Sequence, residues 1–259
     1  MITENSGNNQ GFLLRVHEIS KKYGNVKALQ KVSLDIFSGE IIALVGDNGA
    51  GKSTLFKCLS GTIYPDKGFI EIVGKRFAGL TPKESVSCGI SAVYQDLALV
   101  EELDVATNIF LGMEPLLLKL VVDRKRMYRD AVSVLEKLEI NLPSVHVKMK
   151  KLSGGQRQAV AIARAVVRSS HSNTKGLIIF DEPTAAMGAR ESTAVLKILS
   201  DLRGQGYALL CISHNIPQIF DLADRICVMR SGKIIWIGDK SATSVGEILS
   251  LVSGVSVNA

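Results

Sequence analysis

Short apolar runs separated by turns mark the first part of the chain. Residues 12–19 and 28–36 have the composition of strands, and 28–36 alternates apolar and polar positions as a half-buried antiparallel strand does. Residues 41–45 are apolar throughout, which is typical of a strand buried on both faces. Residues 68–74 have another short strand pattern, so we predict a mainly β region that follows a polar, flexible tail over 1–11.

The last third of the chain alternates strand patterns with helix patterns. This order predicts a mostly parallel sheet with helices on both faces, the arrangement of an α/β fold. The predicted strands are 177–180, 207–212, 225–229 and 233–237, and the predicted helices are 191–202, 216–222 and 245–252. Before this region, Thr81, Pro82 and Glu84 have the spacing that starts a short helix, and 91–94 is a strand pattern that ends at Gln95.

Residues 97–150 have a different pattern, with apolar side chains at helical spacing. One predicted helical face carries Met127, Ala131, Val134, Leu135 and Leu138, and Asp123 is placed to cap that helix. Residues 116–122 are almost all apolar; such a run is more often core, with a contact surface as the alternative. We therefore predict a helical subdomain over about 97–150 inside an α/β domain over 12–240, followed by a C-terminal helix and tail over 241–259.

The amino-acid composition limits where in the cell the protein is expected and which classes of partner it can have. Of the 259 residues 46% are apolar, but no run of 18 apolar residues occurs, so we expect no membrane span. The start lacks the features of an export signal, and the four cysteines have no metal-ligand spacing, so we expect them to stay reduced in the cytosol. The net charge of +6 would suit an anionic partner or simply a basic surface. Because aromatic residues make up only 5% and no basic tract contains them, we predict no nucleic-acid partner.

Residues 46–54 fit the phosphate-binding pattern G-x-x-x-x-G-K-[ST] between a strand and a helix start. The matching residues are Gly46, Asp47, Asn48, Gly49, Ala50, Gly51, Lys52, Ser53 and Thr54. Such a loop aims backbone N–H groups at a phosphate, while Lys52 would reach the β- and γ-phosphates and Ser53 would bind Mg²⁺. The alternative is a glycine-rich turn that matches by chance, and the flanking strand and helix argue against it. The P-loop therefore predicts nucleotide binding.

Two carboxylates follow the apolar strand 177–180. Asp181 would lie beside the metal ion, and Glu182 could polarise a water in line with the γ-phosphate. Acidic turns after buried strands are common, so the two carboxylates alone are weak evidence for a metal site. The P-loop earlier in the same chain makes that interpretation much stronger. We predict Asp181 as a metal ligand and Glu182 as the catalytic base.

A second glycine motif precedes a long helical pattern. The residues are Leu152, Ser153, Gly154, Gly155 and Gln156, a combination that rarely arises by chance. A serine and two glycines leave bare backbone at a helix start, which suits an anion. The sequence therefore predicts two phosphate-binding helix starts in one chain.

These three motifs together resemble the ATP-binding subunit of an ABC transporter, from about Leu13 to Ile237. In that family, two domains pair head to tail, and the signature motif of one closes over the ATP held by the other. The resemblance implies that Ser153 and Gly155, with Gly154 and Gln156 beside them, meet the nucleotide of a partner subunit.

Other positions match the family as well. The resemblance implies that Tyr23 stacks on adenine, although an ordinary turn tyrosine is the alternative. It also implies that Gln95 contacts Mg²⁺ and water and senses the membrane subunit, and that His214 contacts the γ-phosphate. The remaining histidines are expected to be structural or solvated; they are His17, His146 and His171.

One loop departs from the family. After Thr184 the family usually continues Ser-Ala-Leu-Asp, whereas here Gly188 stands in the place of the aspartate. This puts in doubt any coupling of two ATP sites through that aspartate. The loop variant, the P-loop residues and the sequence from Ser213 to Pro217 resemble the monosaccharide-importer branch, in which many subunits carry two fused cassettes and shorter ones carry one.

The resemblance implies an ATP hydrolase that powers import of a small solute, a sugar, and that works with Mg²⁺. Its expected partners are a second ATPase subunit, with a homodimer as the first expectation and a related ATPase as the alternative, transmembrane permease subunits and, indirectly, an external solute-binding protein. The expected location is the cytoplasmic face of the membrane. One alternative is a non-transport ABC ATPase acting on DNA or the ribosome. Another is a regulatory module without turnover, against which Glu182 and His214 argue.

Overall fold

The structure, a computed structural model, describes residues 12–118, 120–169, 175–185 and 187–254. Both predicted tails lie wholly or partly outside the described residues, as do His171 and Ala186. None of the described helices combines the length and the apolar character needed to cross a bilayer.

A six-stranded, mostly parallel sheet forms the centre of the fold. Its strands are β3 (Ile41–Val45), β6 (Ile90–Val93), β9 (Leu177–Asp181), β10 (Ala208–Ile212), β11 (Arg225–Arg230) and β12 (Lys233–Asp239). Their spatial order is β12-β11-β3-β10-β9-β6, and only the β11–β12 pair is antiparallel. The predicted α/β fold with a mostly parallel core sheet is therefore confirmed.

An antiparallel sheet of four strands lies at the amino-terminal end, in the order β2-β1-β4-β5. The strands are β1 (Leu14–Tyr23), β2 (Val26–Ile36), β4 (Lys67–Ile72) and β5 (Lys75–Phe77). In β2, buried Leu29, Val32, Leu34 and Ile36 alternate with more exposed positions through most of the strand. The prediction of a half-buried antiparallel strand here is confirmed.

Neighbouring residues of β3 belong to opposite cores. Ile41, Ala43 and Val45 lie in one hydrophobic cluster, and Ile42 and Leu44 lie in the other. Since successive strand residues point to opposite faces, both faces of the sheet are covered. The helices that cover them are α1 (Lys52–Leu59), α2 (Pro82–Ser87), α5 (Gly154–Ser169), α6 (Ala189–Gly204), α7 (Ile216–Leu222) and α8 (Val245–Ser253).

The segment 97–150 is less helical than predicted. It contains two helices, α3 (Val105–Phe110) and α4 (Arg124–Lys137), and a hairpin of β7 (Leu116–Leu117) and β8 (Val121–Val122). The predicted apolar face of α4 is buried at Met127, Ala131, Leu135 and Leu138, while Val134 is only partly buried. The Asp123 side chain caps this helix by accepting a hydrogen bond from the Arg126 backbone N–H, as predicted.

The apolar run 116–122 is not core, and the prediction of burial is wrong. Its described side chains lie on the surface, with Leu118 92% and Leu120 85% exposed. A turn of so few residues places its side chains beyond the reach of either hydrophobic cluster. The alternative interpretation, a contact surface, stays a prediction.

Candidate functional site

Four neighbouring strands end at one edge of the central sheet. Ile212 of β10 pairs with Leu44 of β3 and with Asp181 of β9, and Val93 of β6 pairs with Phe180. The loops that follow these strands therefore meet at this edge, where open α/β sheets bind their ligands. These loops carry the P-loop, Gln95, Asp181 with Glu182, and His214.

The P-loop glycines are required by the fold. Gly51 precedes α1 with φ 108°, and a Cβ built on it would stand 2.6 Å from the carbonyl oxygen of Ala28. Gly46 has φ 153° and lies against the backbone of Met229. No side chain caps α1. The start of this helix thus has no side-chain competitor for the N–H groups that a phosphate would use.

A cavity of about 630 Å³ lies over this helix start. It is lined by most of the P-loop, from Asn48 to Thr54, and by Tyr23 and Val26 of the antiparallel sheet. Tyr23 is 48% exposed, so its ring is available to a planar ligand group. The structure therefore brings the predicted adenine residue and the predicted phosphate residues to one cavity.

Lys52 is 8% exposed within this loop. Its ammonium donates hydrogen bonds to the backbone oxygens of Gly46, at 2.6 Å, and Asp47, at 3.0 Å. Burial lowers the pKa of Lys52, and the nearby carboxylates of Glu182, Asp47 and Asp181 oppose this effect. The cation is thus near the predicted metal ligand and the predicted base.

The donor set beside Lys52 suits a hard cation. Burial raises the pKa of Asp181, the charge of Glu182 raises it further, and Lys52 and Lys57 lower it. No cluster of three or more histidine, cysteine or acidic side chains that could hold a metal occurs among the described residues. One carboxylate, the Ser53 hydroxyl and the Gln95 amide oxygen fit Mg²⁺, which is commonly held by few protein oxygens together with substrate phosphates.

Glu182 has a strained backbone and a well-held carboxylate. Its φ is 55°, unusual for a residue with a Cβ, and its N–H donates to the carbonyl oxygen of Ile212 at 2.9 Å. Its Oε1 accepts from the His214 backbone N–H at 3.0 Å and lies 2.8 Å from the His214 Nδ1. The Ser213 hydroxyl is 3.4 Å from Oε2. The carboxylate is thus oriented from the end of the next strand, β10.

Three further residues lie in or beside this hydrogen-bond network, namely Thr184, Ser213 and Gln218. The sequence predicted no role at the site for any of them. The Thr184 hydroxyl donates to Gln218 Oε1 at 2.7 Å, and Ser213 contacts Glu182 as described. Gln218 lies in the first turn of α7, which Asn215 caps. The cap and Pro217 are visible in the sequence, but the contact with Thr184 depends on the fold.

The signature motif has a different construction. Ser153 and Gln156 form a capping box at the start of α5: Gln156 N–H donates to Ser153 Oγ at 3.3 Å, and Ser153 N–H donates to Gln156 Oε1 at 3.0 Å. A Cβ on Gly154 would meet nothing within 4 Å, whereas one on Gly155 would touch Glu191 at 3.1 Å. Gly188 precedes α6, where its carbonyl oxygen accepts from Ser192.

Ser153, Gly155 and Gln156 line a cavity of about 510 Å³ together with Glu191 and residues of α6. None of them lines the cavity over the P-loop. The described residues of a single chain therefore keep the two predicted phosphate-binding sites in separate cavities.

Relatives of known name match nearly the whole chain. The ABC transporter family matches residues 29–185. The chain is 42% identical to the xylose/arabinose import ATP-binding protein of Sulfolobus acidocaldarius, over 95% of each chain. It is 37% identical to the fructose import ATP-binding protein of Rhizobium meliloti, over 93% of this chain and 94% of the relative. A xylose import ATP-binding protein of Moorella thermoacetica is 41% identical over 95% of this chain, but this chain spans only 48% of that relative.

Solved structures agree with these matches. A nucleotide-free ATP-binding cassette from an ABC transporter superposes with a TM-score of 0.81 and 26% identity, over 93% of this chain and 98% of the other. An ATP-binding cassette of an ABC transporter in its ADP conformation gives a TM-score of 0.76 with 26% identity, over 95% and 96%. With the P-loop, the acidic strand end and the signature motif arranged as described, the chain belongs to the ABC transporter family, as one of its ATP-hydrolysing cassettes.

Proposed function

We propose that the chain is the ATPase subunit of an importer that takes up a small solute, a monosaccharide, through a separate permease. The observation that carries the hydrolytic part is Glu182, strained at φ 55° and oriented by His214 at the sheet edge that also bears the P-loop. Support for sugar import comes from relatives named for xylose, arabinose and fructose import, two of which match this chain over nearly their full length.

ATP would lie in the cavity over the P-loop. Tyr23 would stack on adenine, the backbone of residues 46–54 would surround the phosphates, and Lys52 would bind the β- and γ-phosphates. Ser53 and Asp181 would hold Mg²⁺, with Gln95 contributing its amide oxygen. The ion would supply positive charge that offsets the charge developing on the phosphate oxygens. Binding would require the Lys52 ammonium to exchange its loop carbonyl partners for phosphate oxygens.

Glu182 would take the proton from the attacking water. Its Oε1 already accepts from the His214 backbone, while among the described residues Oε2 has only the long contact with Ser213. Oε2 is therefore the oxygen that is free to accept from a water. The His214 side chain is 71% exposed and can turn from the carboxylate towards the γ-phosphate. This movement of the His214 side chain would release the Glu182 carboxylate from its contact with Nδ1 when the nucleotide binds.

Two cassettes would pair head to tail, each closing its signature motif over the ATP of the other. The separation of the two cavities within one chain supports this arrangement. Gly154 supports it as well, because its own chain leaves open space where a Cβ would stand. A partner's nucleotide would therefore have room to approach the bare backbone at this position. A second copy is the simplest partner, and a related ATPase is the alternative.

The exposed hairpin of residues 116–122 would contact the permease. The hairpin is apolar and belongs to the segment that follows Gln95. Its Leu118 and Leu120 side chains are exposed to water, and burying them against another protein would be favourable. The subunit would thereby sit at the cytoplasmic face of a membrane and reach an external solute-binding protein only through the permease. Nucleic acid has no place in this proposal.

The substitution Glu182→Gln tests the hydrolytic part. It keeps the shape of the side chain but removes the base, so we expect ATP to bind while turnover falls by about 10²–10⁴-fold. Binding is measured with a fluorescent ATP analogue and turnover by phosphate release. Glu136→Gln, on the exposed face of α4, is the matched control and should change neither. Parent-rate turnover in Glu182→Gln would show that the base is elsewhere.

Copurification tests the transport part. When the tagged chain is expressed together with the proteins encoded beside its gene, a membrane protein should copurify with it. Adding that membrane protein should stimulate ATP hydrolysis by the chain. Replacing Leu118 and Leu120 by serine should weaken the association without loss of ATP binding. Recovery of ribosomes or DNA in place of a membrane protein would favour a non-transport ATPase and contradict the proposal.

A further inference from the structure

Arg164, in the middle of α5, is a buried cation that the hydrolytic mechanism does not use. It is 7% exposed, and no carboxylate among the described residues pairs with it. Burial, and to a lesser extent the charge of Arg168, lowers its pKa to about 10. An unpaired buried charge is costly unless its hydrogen bonds are satisfied. The cost at this position must therefore be offset by the bonds that Arg164 makes.

The Arg164 guanidinium donates to two successive backbone carbonyl oxygens. Nη1 bonds the oxygen of Ala98 at 2.8 Å, and Nη2 bonds that of Leu97. Ala98 has φ 48°, so the backbone turns here in a conformation that residues with a Cβ rarely adopt. The planar fork of arginine fits two such acceptors together, which a lysine ammonium on a flexible stem does not.

These carbonyls belong to the loop that carries Gln95. Leu97 is two residues beyond Gln95, and that loop begins where β6 ends at Val93. Because Leu97 packs against the main hydrophobic cluster, the arginine bonds fix a point of the loop close to Gln95. Gln95 itself is exposed.

The same helix begins with the signature motif. α5 has 16 residues from Gly154, and Arg164 lies about 15 Å along it at 1.5 Å per residue. A continuous helix of this length moves as one body. Arg164 is therefore a direct link between the element that would meet a partner's ATP and the loop that would meet the chain's own ATP.

We propose that Arg164 is a positioning residue that ties the Gln95 loop to the signature helix, so that the two respond to nucleotide together. The proposal rests on the proposed function through the role of Gln95. Arg164 itself touches neither ATP nor metal in this account. It acts by holding Leu97 and Ala98.

Arg168, one turn further along α5, supplies a matched control. Its Nη2 donates to the carbonyl oxygen of Leu111 at 3.1 Å, and burial lowers its pKa too. Its hydrogen bond joins the same helix to the segment after α3 and not to Leu97 or Ala98, while the nearby Tyr94 side chain opposes the lowering of its pKa. The variants Arg164→Lys and Arg168→Lys keep the charge and alter one link each.

The first test uses nucleotide-free protein and amide hydrogen exchange. In Arg164→Lys, we expect amides of residues 95–100 to exchange at least about tenfold faster than in the parent, with residues 110–113 unchanged. Arg168→Lys should show the reverse pattern. Equal acceleration of 95–100 in both variants would show a general loosening of α5 and overturn the proposal. If Arg164→Lys does not fold, Arg164→Gln, which removes the buried charge, takes its place.

The second test is a double-substitution cycle measured by ATP hydrolysis. Arg164→Lys should lower kcat, and it should have little further effect once Gln95→Ala is present, whereas Arg168→Lys should act equally on both backgrounds. Independent losses from Arg164→Lys and Gln95→Ala would overturn the positioning role alone. Parent-rate hydrolysis in Gln95→Ala would remove Gln95 from the proposed function, and the positioning role with it, while leaving the Glu182 result as it stands.

Discussion

The two glycine-rich helix starts differ in what requires their glycines. At α1, the fold itself requires glycine, because Gly51 adopts φ 108° and lies against the Ala28 backbone. At α5, Gly154 has ordinary helical geometry and open space around it. Moreover, α1 has no side-chain cap, whereas the start of α5 is capped by Ser153 and Gln156.

This difference teaches how the two motifs relate to a ligand. The P-loop is preorganised, since its strand, glycines and helix form the site within one chain. In the signature motif, Ser153 and Gln156 already accept hydrogen bonds from backbone N–H groups at the start of α5. No described residue occupies the space beside Gly154. The open space at Gly154 leaves room for a ligand from outside the chain, as the head-to-tail arrangement of the proposed function would require.

Among substitutions that distinguish the start of α1 from the start of α5, Gly51→Ala is expected to have the largest effect on stability. Left-handed strain of about 1–2 kcal/mol adds to overlap with the Ala28 carbonyl oxygen, which costs about 1–3 kcal/mol. The free energy of unfolding should fall by about 2–5 kcal/mol in urea denaturation. Gly49→Ala is the control, because Gly49 has φ 82° but open space, and only the strain should appear. Equal costs for the two variants would mean that the close approach to Ala28 is unimportant.

Gly154→Ala is expected to leave stability intact and impair hydrolysis. With open space at this position, the free energy of unfolding should rise by up to about 1 kcal/mol, since alanine favours helix more than glycine does. ATP turnover should fall by about 10²–10³-fold if a γ-phosphate approaches this backbone in the dimer. Gly188→Ala, another glycine with open space, should change turnover far less. Unchanged turnover in Gly154→Ala would break the comparison between the two starts.

The capping box separates structure from ligand contact. Ser153→Ala and Gln156→Ala should each lower the free energy of unfolding by about 0.5–1 kcal/mol, because each removes one bond of the box. Only Ser153→Ala should also reduce turnover strongly, since its oxygen is the predicted phosphate contact. Thermal melts and phosphate release on the same preparations measure both. A strong turnover loss in Gln156→Ala would assign the contact to Gln156 as well.

A third helix start, α3, shows what a cap contributes where no ligand is expected. Burial opposes ionisation of Asp104, yet hydrogen bonds from Thr107 and from the Tyr128 hydroxyl, at 2.6 Å, hold its pKa below the ordinary value. Tyr128→Phe should therefore cost about 1–2 kcal/mol at neutral pH. The contribution is complete above the ordinary aspartate pKa of about 3.9 and is lost as pH falls through the lowered native pKa.

Urea denaturation of the parent and Tyr128→Phe at a series of pH values checks this sign. The difference between them should shrink as the pH is lowered towards 3. Tyr64→Phe, at an exposed ring, is the control and should show no pH-dependent difference. A difference that grows in acid would mean that the Tyr128 bond favours the protonated carboxyl, so that the native pKa of Asp104 is raised and not lowered.

Local features were predictable from the sequence because neighbouring residues decide them. Thr81 and Glu84 form the predicted capping box, and Asp123 caps α4. The continuous apolar run of β3 predicted a strand buried on both faces, and its residues do alternate between the two cores. In each case, the interacting groups lie within a few positions of one another or share one strand.

Contacts between distant segments were not predictable in this way. The run 116–122 is as apolar as a core strand, but burial depends on which surfaces meet, and no other element in the described part of the chain covers the hairpin. The bonds of Arg164 to Leu97 and Ala98 join residues that no spacing rule relates. Gln218 likewise meets Thr184 only because α7 follows β10, next to β9 in the sheet.

The sequence by itself determined the chemistry at three strand ends, namely the glycine loop with its lysine, the paired carboxylates and the histidine, and also the capped start of α5. Hydrogen-bonding groups and backbone freedom are properties of individual residues, so a single chain states them directly. The tertiary structure decided how these groups meet. It turned Glu182 to φ 55° through a bond to Ile212, and it placed the P-loop and the signature motif in separate cavities. Strand order and burial set those relations, because they arise from packing between distant segments.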